Sequence, residues 1–244
     1  MPITFDRDIC RNLEETLSRE WILTNGLGGY AAGTIAGTLT RMQQGLLVAS
    51  LEEAEAPQLL LAKIDEEVVF DQRTYYLGTN EYRDGTLNPA GFVHLEAFRL
   101  EEGFPVFTYR LGGLDGIMLE KRIWMLQGQN TTWIQYRVLR TSPSSRGTNE
   151  PASWQREGRP GYPGSIRTYS NYDARSSLTL TLLPFVAHRP YDQAQYGRSD
   201  WHFQVKALSR EPGEEKELPT LPRGTAGCII SARENTTPYH LLAV

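Results

Sequence analysis

The sequence predicts a mainly β protein, a large antiparallel β-sandwich with at most one short helix near its N-terminus. Three observations carry that reading. β-Branched and aromatic residues dominate every periodic segment. Apolar and polar residues alternate at the two-residue spacing of half-buried strands. After residue 18 the helical period is almost absent, and no repeat of fixed length replaces it. A chain of 244 residues is long enough to bury a substantial core and is read as one sandwich domain over 1–244.

Composition narrows the partners. Lys and Arg number 25 against 29 Asp and Glu, a net charge of −4, which gives no electrostatic footprint for nucleic acid or an anionic membrane. Neutral partners are expected. Cys10 and Cys228 stand far apart without metal-ligand spacing, which fits a reduced, cytoplasmic chain. The N-terminus has no apolar core of a signal peptide, and no run approaches bilayer-spanning length. A soluble cytoplasmic protein without metal or cofactor is expected.

The elements follow in order. Ile9, Leu13 and Leu17 at helical spacing predict a short amphipathic helix over 9–18. The organising stretch is 20–50, glycine-rich yet apolar, closing on the buried-strand run Leu46, Leu47, Val48, Ala49. Asn25-Gly26 is a strong turn signal, and Gly26, Gly28 and Gly29 suit a backbone at positive φ or in close contact with another group. Residues 59–70 read as a hairpin whose turn is Asp65, Glu66 and Glu67. A second hairpin joins 93–100 to 106–111 through Glu101, Glu102 and Gly103. The sharpest pattern is the pair 117–126 and 131–139, with Ile134, Tyr136 and Val138 on one face and Gln135 and Arg137 on the other. Residues 141–164, rich in Ser, Pro, Gly and Arg, read as an exposed loop or insertion. Strands resume at 178–186 and 201–208. The apolar finish at 227–232 and 240–244 suggests an edge that further chain would cover.

Residues 26–31 satisfy a relaxed dinucleotide fingerprint, with Glu52 at the expected distance. A helix must follow such glycines, and Gly33, Gly37 and three threonines argue against one. His94, His188, His202 and His240 are scattered, without metal-ligand spacing. Glu20, Glu81, Asp84, Glu96, Glu120, Asp173, Asp192 and Asp200 are conceivable acids or bases, but a glycosidase pair is defined only by its separation in space. Trp21, Tyr30, Tyr75, Tyr76, Tyr82 and Trp124 either stack on sugar rings or fill the core.

The ordered segments EWILTNGLGGYAAGTIAGTLTR, GLLVAS, LLLAKIDE, TNEYRDGT, LEAFRL, LEKRIWM and GQNTTW resemble the N-terminal domain of the bacterial and archaeal type of glycogen debranching enzyme, the amylo-α-1,6-glucosidases. The likeness runs over residues 20–136, with weaker traces beyond. It implies a supersandwich-like domain that, in the complete enzyme, joins a C-terminal α/α toroid carrying the catalytic carboxylates. It also implies branched α-glucan, glycogen or limit dextrin, as substrate of that enzyme. No catalytic residue is assigned to this chain. Candidates for substrate binding or for the domain interface are Asn25, Tyr30, Arg41, Gln44, Asn80, Glu81, Tyr82 and Arg122.

Two departures from the family pattern stand out. Arg41-Met42-Gln43-Gln44 keeps the family's arginine but has Gln44 where a histidine is usual. Residues 188–192 read His-Arg-Pro-Tyr-Asp and lack a following aromatic and histidine. Gln44 hydrogen-bonds but carries no proton in turnover. Arg41 either reaches a ligand or is a solvated cation at a strand end. Two functions follow: the non-catalytic N-terminal domain of a debranching enzyme, or a free-standing carbohydrate-binding or interaction module.

Overall fold

A computed structural model describes residues 3–51, 54–113, 116–139, 178–194, 203–207, 228–234 and 237–243. In chain order the strands are β1 (Ile3–Phe5), β2 (Glu20–Thr24), β3 (Tyr30–Thr34), β4 (Gly45–Ala49), β5 (Gln58–Phe70), β6 (Arg73–Tyr76), β7 (Thr79–Glu81) and β8 (Leu87–Ala90). They continue with β9 (Leu95–Glu101), β10 (Phe104–Leu111), β11 (Ile117–Met125), β12 (Thr132–Leu139), β13 (Thr179–Pro190), β14 (Phe203–Ala207), β15 (Cys228–Glu234) and β16 (Thr237–Ala243). Two helical turns, α1 (Arg7–Cys10) and α2 (Leu13–Ser18), follow β1, and a 3-10 turn, Gly91–His94, precedes β9.

Two antiparallel sheets make the body. One runs β1-β9-β10-β11-β12, and the other runs β13-β5-β4-β3-β2 with β6 also paired to β5. Their inner faces meet as a sandwich. Trp21 of β2 sets its ring edge-on to Phe107 of β10, with centroids 6.3 Å apart, and Phe107 meets Phe98 of β9 at 5.0 Å. Leu47, Leu61, Ile64 and Val68 from one sheet and Leu95, Leu111, Leu119 and Ile123 from the other complete the core. Each such buried side chain stabilises the fold by roughly 1.5–3 kcal/mol. Leu180, Leu182 and Val186 of β13 pack against this core from alternate positions, as the period-two pattern requires. A smaller sheet, β14-β15-β16, lies beside β12.

The expected mainly β, antiparallel architecture is present, and its hairpin of β11 and β12 keeps register from Met118 opposite Leu139 to Met125 opposite Thr132. Tyr136 and Ile134 face inward as predicted, whereas Val138 is 40% exposed. The segments 141–164 and 211–224 lie outside the described residues.

Two expectations are corrected. The single helix over 9–18 is two short turns, because Asn12 interrupts the first and caps the second, accepting from Glu15 N at 3.3 Å. Cys10 and Thr16, rather than Ile9, Leu13 and Leu17, are its buried residues. The hairpin expected to turn at residues 65–67 does not exist there. Strand β5 runs unbroken through Asp65 and Glu66, which are buried at 7% and 2% exposure. Lysines make that possible: Lys63 Nζ lies 2.7 Å from Asp65 Oδ1, and Lys121 of the facing sheet donates to Glu66 Oε1 at 2.5 Å. The turn falls instead at Asp71-Gln72, both at positive φ (51° and 58°), a two-residue link whose twist matches the strands it joins.

Candidate functional site

The glycine-rich stretch 20–50 folds as β2, a tight turn, β3, a loop and β4. In the turn Gly26 and Gly28 take φ of 76° and 86°, the left-handed region that disfavours side chains. Gly29 has ordinary φ but no room: a Cβ there would lie 2.7 Å from both Asn25 Nδ2 and Asn130 Oδ1. A hairpin follows these glycines, not a helix, so the dinucleotide fingerprint is accidental.

Asn25 is completely buried. Its Oδ1 accepts from Leu27 N and Gly29 N, at 2.9 and 3.0 Å. Its Nδ2 donates to Gln129 O and Asn130 Oδ1, at 3.0 and 2.7 Å. Every donor and acceptor of the amide is thereby used to clamp the β2–β3 turn to the β11–β12 turn.

Surface chemistry gathers where the loop between β3 and β4 meets the Tyr30 side chain. Gln44 is 3% exposed, and its Oε1 accepts from Thr40 N at 2.7 Å and Arg41 N at 3.3 Å, so it shapes the loop from within. That loop presents Arg41 outward, its side chain 65% exposed and its Nε donating to Glu20 Oε1 at 2.6 Å. Tyr30, at the start of β3, donates its hydroxyl to Gln43 O at 2.7 Å. Burial pushes the Tyr30 hydroxyl pKa up, with a smaller contribution from Tyr191.

Residues 188–192 arrive at this same loop. Arg189 Nη2 donates to Met42 O at 2.9 Å, and its Nη1 donates to the carbonyls of Pro190, Tyr191 and Gln193 at 2.8–3.1 Å. Tyr191 N is held by Pro57 O at 2.9 Å, and its ring stands edge-on to Tyr30 at 6.5 Å. The two sequence segments that depart from the family pattern are therefore one surface. It combines two partly exposed tyrosine rings, an exposed arginine and carboxylate pair, and an exposed Met42. Aromatic faces beside planar charged groups suit a neutral, hydroxyl-rich ligand, which offers apolar ring faces and many hydrogen-bonding groups at once.

The other candidates lie apart from it. Asn80 belongs to a buried cluster, accepting from Lys63 Nζ and donating to Asp65 Oδ2, each at 2.6 Å. Burial lowers the Lys63 ammonium pKa, with Asp65 opposing the shift. Glu81 and Tyr82 are exposed at the end of β7, Tyr82 by 56%. Arg122 is on the outer face of β11, ion-paired with Glu101. Among the described residues no group of His, Cys, Asp and Glu is placed to hold a metal.

Sequence reasoning named the 188–192 run without assigning its residues to the site. Arg189 and Tyr191 were missed, and their signal was indirect: both runs lack a histidine at once, as two halves of one surface would. The inner pair Lys121 and Glu66, joined by Tyr136 donating to Glu66 Oε1 at 2.6 Å, was missed as well. Its signal was a lysine in phase with Leu119 and Ile123.

A family model described as "Glycogen debranching enzyme N terminal" matches residues 19–148. No curated protein and no solved structure matches the chain.

Proposed function

The chain belongs to the glycogen debranching enzyme N-terminal family, and from that premise we propose that it is the non-catalytic N-terminal domain of an amylo-α-1,6-glucosidase acting on branched α-glucan. In this reading it supports a C-terminal catalytic toroid and touches glucan through the surface of Tyr30, Arg41, Arg189 and Tyr191. The observation that carries the substrate contact is the convergence of loop 40–44 with residues 189–193 around the Tyr30–Tyr191 pair. The remaining candidates divide by burial. Asn25, Gln44 and Asn80 hold loops in place, Arg122 is half-buried in its ion pair with Glu101, and Glu81 and Tyr82 are open to a neighbouring domain.

Hydrolysis in this reading belongs to carboxylates outside the chain. Glycoside hydrolysis needs one carboxylic acid and one carboxylate free to face a glycosidic bond. Asp65, Glu66, Glu101 and Glu120 are each paired with lysine or arginine, and Glu96 faces Arg110 at 3.3 Å. Cytoplasmic placement is part of the same proposal, supported by two widely spaced cysteines and by Cys10 being a free buried thiol.

The test is glucose release from a branched limit dextrin by this chain and by the enzyme that contains it. The enzyme is expected to release glucose and the chain alone none. Steady release by the pure chain, abolished by one carboxylate substitution within it, contradicts the proposal.

A further inference from the structure

Away from the tyrosine surface, a cleft of about 430 Å³ opens between α1, β6, the Gly91–His94 turn and the end of β10. That volume is in the range of small-molecule sites. Its walls carry Arg7, Arg11, Arg73 and Arg110, together with Tyr75 and His94. In a chain whose net charge is −4, four guanidiniums around one cleft are a marked local reversal.

One carboxylate answers three of them. Glu96 Oε2 lies 3.3 Å from Arg110 Nε, 3.6 Å from Arg11 Nη2 and 4.0 Å from Arg7 Nε. Charge-assisted hydrogen bonds are shorter, about 2.7–2.9 Å. Arg7 of α1 and Arg11, just past its end, are thus drawn toward Glu96 at more than hydrogen-bond length, and Arg11 Nε is buried without a hydrogen-bond partner. A structural ion pair that merely fastened α1 to the sheet needs one arginine, and a buried donor left unmatched calls for a partner. Arg73 forms no ion pair among the described residues and brings a further positive charge. Among the described residues, Arg7, Arg11 and Arg73 are therefore more cationic forks than Glu96 satisfies, and guanidinium forks match the oxygens of a phosphate.

We propose that this cleft binds a phosphate monoester of monosaccharide size, its dianion held by Arg7, Arg11 and Arg73 and its carbon body lying along Tyr75. The dianion offsets the local excess of charge, and the tyrosine, set edge-on to His94 at 5.6 Å, supplies the apolar wall. The site stands independently of the glucan surface, since it shares no residue with it.

Isothermal titration calorimetry of the full chain with a hexose 6-phosphate, at ionic strength held constant with sodium chloride, tests this directly. Saturable binding is expected, tighter than that of inorganic phosphate and weakened about tenfold or more in Arg73→Ala, whose unliganded Tm matches the wild type. Arg7→Gln, at the exposed rim, provides a second variant with the same expectation. No saturable binding up to about 10 mM overturns the proposal, as does equal affinity for inorganic phosphate or binding indifferent to both substitutions.

Discussion

Arg189 Nη2 donates to the carbonyl of Met42 at 2.9 Å, joining residues 147 positions apart. This contact turns two loops into one surface, because the same guanidinium also holds the carbonyls of Pro190, Tyr191 and Gln193. Arg189→Ala is expected to cost about 1 kcal/mol in urea unfolding and to raise the KM for limit dextrin in the enzyme containing this domain. Arg189→Lys should restore little of the KM, since a single ammonium lacks the planar fork that reaches several carbonyls.

The clamp at the β2–β3 turn makes a contrasting prediction. Gly28→Val places a branched side chain at φ of 86° and is expected to destabilise by about 1–3 kcal/mol. Asn25→Ala should cost a similar amount or more, by leaving buried amide partners unmatched, on the order of 2–4 kcal/mol. Urea unfolding checks both, and limit-dextrin KM measured well below Tm should be unchanged in each.

Lys121 and Glu66 bridge the two sheets with their side chains 10% and 2% exposed. Lys121→Met leaves a buried carboxylate without its cation, at a cost of about 3–5 kcal/mol. The pair Lys121→Met with Glu66→Leu should recover most of that loss. Chemical denaturation of the single and double variants measures the recovery, and equal stability of wild type and Lys121→Met contradicts it.

Stability should fall at alkaline pH for an identifiable reason. Burial raises the Cys10 thiol from 9.0 to about 11. Between those values the unfolded chain gives up its proton while the folded one keeps it, so this contribution is complete below pH 9 and lost as pH rises toward 11. Tyr109 and Tyr136, pushed well above 10.0 by burial and by Glu66, act in the same direction. Cys10→Ser should remove part of the slope, on the order of 2 kcal/mol across that window. Unfolding free energies at pH 8, 9 and 10.5, roughly spanning the window, give the comparison.

What the sequence disclosed and what it hid have a common cause. The β11–β12 hairpin was legible because Ile123, Ile134 and Tyr136 keep the two-residue period and face the core. The turn at 25–29 was legible because glycine leaves few alternatives at positive φ. Asp65 and Glu66 misled because local polarity signals a turn, whereas their burial depends on Lys121, 55 positions from Glu66. Tyr30, Arg41 and Gln44 were found through their motif, yet their union with Arg189 and Tyr191 needs a tertiary contact that no spacing encodes.

The central claim, that the Tyr30 and Tyr191 surface contacts branched glucan, is tested most directly by limit-dextrin kinetics of the Arg41→Ala, Tyr191→Ala double variant in the enzyme that carries this domain. Arg41 is solvent-exposed, and its ion pair with Glu20 is open to screening. Tyr191 contributes one edge contact to Tyr30. The account predicts a KM raised about tenfold or more with Tm nearly unchanged. An unchanged KM at unchanged Tm would contradict it.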